Sequence, residues 1–126
     1  MGNDLELTPW LKARRALREE IDKEEAQLEL ALKAASESRA SVQRYAELSA
    51  ILAGKLEILY DALGPYAWKD AAFLKKRVRD WIQREEKDRD RLQADQPAGW
   101  QGEVEALDLK IKGKKIAERV VNSALP

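Results

Sequence analysis

The side chains able to carry chemistry in this sequence are carboxylates and cations, because it contains neither cysteine nor histidine. Thiolate nucleophiles, zinc sites of the Cys/His type and a Ser-His-Asp arrangement within one chain are thereby excluded. The carboxylates fall into closely spaced sets, Glu19 with Asp22 and Glu25 in the first half and Glu85 with Asp88 in the second. Acidic groups at such spacing on facing helices can hold magnesium for phosphoryl chemistry. Here both sets are interleaved with Arg and Lys, on stretches whose pattern is that of a solvated face. The expectation is therefore a charged surface, with no catalytic residue, metal, cofactor or small-molecule substrate, and no enzyme.

The cations cluster near the end of the chain as Lys110, Lys112, Lys114, Lys115 and Arg119, opposed there only by Asp108 and Glu118. Such a cluster could contact phosphates. If residues 103–124 were a helix, a turn at Gly113 and a second helix, Lys115, Arg119 and Asn122 would share an exposed face, as a recognition helix needs. The apolar spacing around Gly113 fits that motif poorly, since Arg119 falls where a buried residue is wanted. The bland alternative is a cationic helix end favoured by the macrodipole. Lys+Arg and Asp+Glu both number 23, so no overall field draws the protein to nucleic acid or an anionic membrane. Residues 1–63 carry 9 basic and 12 acidic side chains and residues 64–126 carry 14 and 11, a dipole that would favour head-to-tail contact.

These groups must be positioned by helices. Ala, Glu, Lys, Leu and Arg supply 73 of the 126 residues, a bias typical of long helices and coiled coils. Neither proline nor glycine occurs between Pro9 and Gly54, and one apolar seam runs Trp10, Leu17, Ile21, Leu28, Ala31, Ala35, Val42, Tyr45, Leu52, Leu56, Leu59, Leu63 at coiled-coil-like steps. Thr8-Pro9 starts it and Leu63-Gly64-Pro65 stops it. The one weak point is Ser36-Glu37-Ser38-Arg39-Ala40-Ser41. Three serines cost far less than a proline and no Ser-x-x-Glu capping box restarts a helix, so a continuous rod is slightly favoured over a hairpin turning near Ser38. A rod of about 84 Å at 1.5 Å per residue would demand partner chains, whereas a hairpin can pack within a monomer. A second apolar line, Leu48, Ile51 and Ile58, places Val42 to Leu63 at the centre of a bundle, with Gly54 at a close helix crossing.

A further helix is predicted from Trp68 to Gln93, ending in the charged run Arg84 to Arg91, and Ala94 to Gly99 reads as a linker. In the tail, Leu107, Leu109 and Ile111 alternate with charged residues, a strand pattern that competes with a helix face of Val104, Leu107 and Ile111; a final short helix from Lys114 to Ala124 follows in either case. The fold class is thus all-α, a long helical hairpin or coiled-coil arm packed into a small bundle, with a single edge strand near 106–112 as the open alternative. Two units are expected, a helical bundle over 1–95 and a basic tail element over 96–126.

Association is the leading functional expectation: a non-enzymatic assembly or adaptor subunit acting on copies of itself or another helical protein. Leu17, Ile21, Leu28, Leu52, Leu56, Leu59 and Trp100 are its candidate interface. Trp10, Trp68 and Trp81 join Trp100 as candidate anchors or as caps on the bundle core. Small charge-rich helical proteins of this kind occur in phage particles and as inhibitors of other machines, an analogy of class only. The alternative is a nucleic-acid-binding regulator or DNA-packaging subunit, with Lys110, Lys112, Lys114, Lys115 and Arg119 as contacts. No apolar run approaches the roughly 18 residues of a transmembrane helix, and the first residues lack the features of a signal peptide. A soluble protein of the cytoplasm, or of a virion, is expected.

Overall fold

The computed structural model describes residues 8–35 and 38–126. Residues 1–7, and Ser36 and Glu37 of the serine-rich stretch, lie outside the described residues. Four helices are present among those described: α1 (Pro9–Ala35), α2 (Arg39–Glu57, continued by a π-helical turn Ile58–Ala62), α3 (Ala71–Asp95) and α4 (Trp100–Ala124).

The chain from Pro9 to Leu63 is a hairpin, not the continuous rod that was slightly favoured. Lys55 on α2 reaches Glu20 and Glu24 on α1, at 3.2 and 3.5 Å, and Arg14 Nη1 donates to the Leu59 carbonyl at 3.1 Å. Only antiparallel packing brings these positions together. The restart is made by Ser38, in extended conformation, whose hydroxyl accepts from the Ser41 amide at 3.1 Å. One serine oxygen is enough to satisfy an orphan first-turn donor; the reciprocal Glu of a full capping box is not required. At the other end Thr8 caps α1 as expected, its hydroxyl accepting from the Leu11 amide.

Asp70 caps α3 by accepting from the Phe73 amide at 2.8 Å, so this helix begins at Ala71 and leaves Trp68 in the preceding turn. The expected linker is a tight turn with two left-handed residues, Gln96 and Gly99. Beyond it the tail is one helix. The edge strand near 106–112 and the break at Gly113 are both absent, because Val104, Leu107 and Ile111 keep a helical period that Ala117 and Val121 continue into the core.

All four helices feed a single core: Ala13, Leu17 and Ile21 from α1, Leu52 to Leu63 from α2 and its π-turn, Leu74, Val78 and Ile82 from α3, and Ile111, Ala117 and Val121 from α4. The expected tail element therefore shares its core with the preceding helices. Central to the packing is the crossing of α2 and α4. A Cβ on Gly54 would overlap the Lys110 carbonyl, and a Cβ on Gly113 would overlap the Ile51 carbonyl. Each glycine thus meets the residue three before the other, so the two helices touch backbone to backbone at that point.

Candidate functional site

The expected association seam divides in two. Leu17, Ile21, Leu52 and Leu59 are buried in the chain's own core, and Leu28 and Leu56 are half-buried against it. Past Ile21 on α1 and before Ile51 on α2 no described residue is buried, so this stretch forms a two-helix arm more exposed than the base of the hairpin. On this arm Leu30, Leu32 and Val42 are 67%, 54% and 52% exposed. Two grooves run along it. One, of about 490 Å³, sets Leu28, Leu32, Tyr45 and Leu52 beside Asp22, Glu25 and Glu29. The other, of about 390 Å³, is lined by Leu30, Ala31, Ala34 and Leu48 with Ser41 and Arg44.

The five expected phosphate contacts separate because they wind around one helix. Lys110 and Lys114, four apart, turn toward α2, where each approaches Glu57, at 3.2 and 3.7 Å. Lys114 is 0% exposed and is also paired with Glu85 of α3, with its ammonium 5.5 Å from the centre of the Trp81 ring. It is part of the interior and no contact for a nucleic acid. Lys112, Lys115 and Arg119 do share an exposed face. With Arg79 and Arg89 of α3 they line a cleft of about 650 Å³ that also holds Asp108 and Glu118.

Inside that cleft three cations are already engaged. Arg79 meets Glu118 at 2.9 Å, Arg89 meets Asp108 at 3.1 Å, and Lys115 meets Glu86 at 3.1 Å. The hydrogen bond to Asp108 pushes the Arg89 guanidinium up from its ordinary value, against the smaller effect of burial. Lys112 and Arg119 have no ion-pair partner among the described residues.

Sequence reasoning missed the buried ion clusters. Lys55 and Lys114 are the two buried lysines, and each directly follows a crossing glycine. The available signal was the repeated Gly-Lys pair, which became meaningful only once the crossing was known. Burial pushes the Lys114 ammonium down, a shift that Glu57 and Asp61 oppose. Because Lys114 is closed to solvent, its partners hold it as structure.

The carboxylate sets do not converge. Glu19, Asp22 and Glu25 stay exposed on α1, Glu85 is taken by Lys114, and Asp88 lies 4.0 Å from Arg91. No group of three or more His, Cys, Asp or Glu side chains suited to a metal ion occurs among the described residues. The tryptophans also differ. Trp10 donates its indole N–H to the Leu63 carbonyl and so closes the end of the hairpin. Trp81 lies among Arg77, Arg84 and Lys114, Trp100 is half-buried at the start of α4, and Trp68 is 73% exposed with Lys69 over its ring at 3.5 Å. Among the described residues no helix is long and apolar enough to cross a membrane. Comparison with protein-family models, with curated proteins and with solved structures gives no match to this chain.

Proposed function

We propose that this chain is a non-enzymatic helical assembly subunit that docks onto another helical surface through its α1–α2 arm. The observation that carries the reading is the division of the hairpin. Its base supplies the core, while no described residue of 22–50 is fully buried and Leu30, Leu32 and Val42 lie largely in water. Single exposed apolar residues are ordinary, but a two-helix ribbon that exposes three of them and carries an apolar-lined groove on each side has the form of a helix-docking surface.

The arrangement also says which substitutions isolate association from folding. Leu52 is core, so Leu52→Asp unfolds the chain and reports nothing about a partner. Leu30→Asp with Leu32→Asp alters exposed positions and should change stability by no more than about 0.5 kcal/mol each. Light scattering across a concentration series is the test. The expected result is a wild-type mass above 14.3 kDa that falls to 14.3 kDa in the double variant at unchanged helicity. A wild-type mass that depends on concentration identically in both proteins would remove the arm from the interface.

A further inference from the structure

The partner for the arm is suggested by matched charge on two exposed helix faces. Asp22, Glu25 and Glu29 rim the arm's acidic groove at spacings of three and four, and none of them has an ion-pair partner among the described residues. Lys112, Lys115 and Arg119 rim the basic cleft on α4 at the same spacings. Both triads are exposed, and each spans about 10 Å at 1.5 Å per residue. Two helices laid side by side can therefore set each carboxylate opposite a cation.

We propose that the partner is a second copy of this chain, with the acidic face of α1 from one copy seated on the basic face of α4 from the next. This rests on the association reading above and names its partner. Because the two faces differ, the contact is heterologous and propagates head to tail into a ring or filament. The opposite charge balance of the two halves of the sequence acts in the same sense. A polyanion suits the cleft less well. Asp108 and Glu118 share the cleft with the cations, whose track on α4 is about 10 Å long, and the net charge of zero supplies no field to gather phosphates. Contacts between exposed charges are screened by salt, so the assembly should be salt-sensitive.

The test uses the full chain in four forms: wild type, an acid-face variant (Glu25→Lys with Glu29→Lys), a base-face variant (Lys112→Glu with Arg119→Glu), and all four changes together. Masses are read by light scattering at low and high salt, with circular dichroism to verify folding. Wild type should assemble at low salt and lose assembly at high salt. Each two-site variant alone should be a monomer, since one of its faces repels the other. An equimolar mixture of the two should assemble again with strict alternation, because one variant then has two basic faces and the other two acidic ones, and every contact between unlike copies joins opposite charges. The fourfold variant, with both faces reversed, should assemble again.

Assembly of both two-site variants like wild type would overturn this contact while leaving association through the apolar arm standing. So would an assembly indifferent to salt. A wild-type monomer under every condition would end both readings. If that monomer bound an RNA or DNA oligonucleotide and the base-face variant did not, the cleft would belong to a polyanion.

Discussion

Lys114 is the residue on which the interior of this protein is most exposed to error. Its ammonium is closed to solvent and held by Glu85 and Glu57, and Glu57 keeps a second cation, Lys110, at 3.2 Å. Lys114→Met would therefore strand Glu85 far more than Glu57. Removing one member of a buried pair typically costs about 3–5 kcal/mol, because the other is left charged without compensation. Urea denaturation should show a loss of that order, and Glu85→Gln added to Lys114→Met should recover much of it. A double variant no more stable than the single one would mean that the lysine stem, and not the charge pair, was the contribution. The same residue predicts a pH dependence. Burial pulls Lys114 below its ordinary 10.5, with Glu57 and Asp61 opposing. Between the lowered folded value and 10.5 the unfolded chain binds more protons than the folded one, so this residue's contribution to stability rises with pH in that window. The stability difference between wild type and Lys114→Met should accordingly move in favour of wild type as pH climbs toward 10.5. Movement the other way would show an ammonium favoured by its site.

The contact between α2 and α4 depends on two missing side chains. A methyl group on Gly54 or Gly113 has backbone carbonyls in its place, which cannot swing aside as a flexible side chain would. Gly54→Ala and Gly113→Ala should each destabilise by about 1–3 kcal/mol or more as the helices are pushed apart. Gly102 is the internal control: it is exposed in the first turn of the same α4, with nothing within 4 Å of an added Cβ, so Gly102→Ala should gain up to about 1 kcal/mol of helix propensity. Equal responses at Gly102 and Gly113 in thermal melts would refute the backbone-to-backbone crossing. These positions also show which parts of the elements were legible in the sequence. The helical period, the stop at Gly64-Pro65 and the crossing at Gly54 are local patterns and could be read. The turn near Ser38 was underweighted because propensity alone cannot weigh a single cap against the tertiary packing that rewards folding back. The strand alternative over 106–112 arose because Leu107, Leu109 and Ile111 alternate by chance on a helix whose core face is Leu107 and Ile111, with Leu109 half-buried beside it. Burial of Lys55 and Lys114 was out of reach, since it depends on carboxylates that lie 29 to 57 positions away in the chain for Glu85 and Glu57. The exposed triad of Lys112, Lys115 and Arg119 was visible only as part of a five-residue cluster until the helix placed Lys110 and Lys114 on its other side.

As a whole the molecule has one consolidated region and one unsupported one, and this asymmetry is what makes association the natural reading. The base of the hairpin, α3 and α4 share a core that excludes water from residues such as Leu17, Ile58, Val78 and Val121. The arm packs α1 on α2 and has none of its described residues fully removed from water. Local opening takes its free energy from buried contacts, so segments without them open first. Amides of residues 22–50 in the isolated chain should therefore exchange with solvent at least about tenfold faster than those of residues 51–63 and 111–121. Hydrogen exchange followed by mass spectrometry resolves the two classes directly. Under conditions where the chain assembles, docking covers the arm and its exchange should slow while that of the core is unchanged. Uniform protection in the monomer would mean that the arm and the core open as one unit, and the arm would then need no partner to complete it.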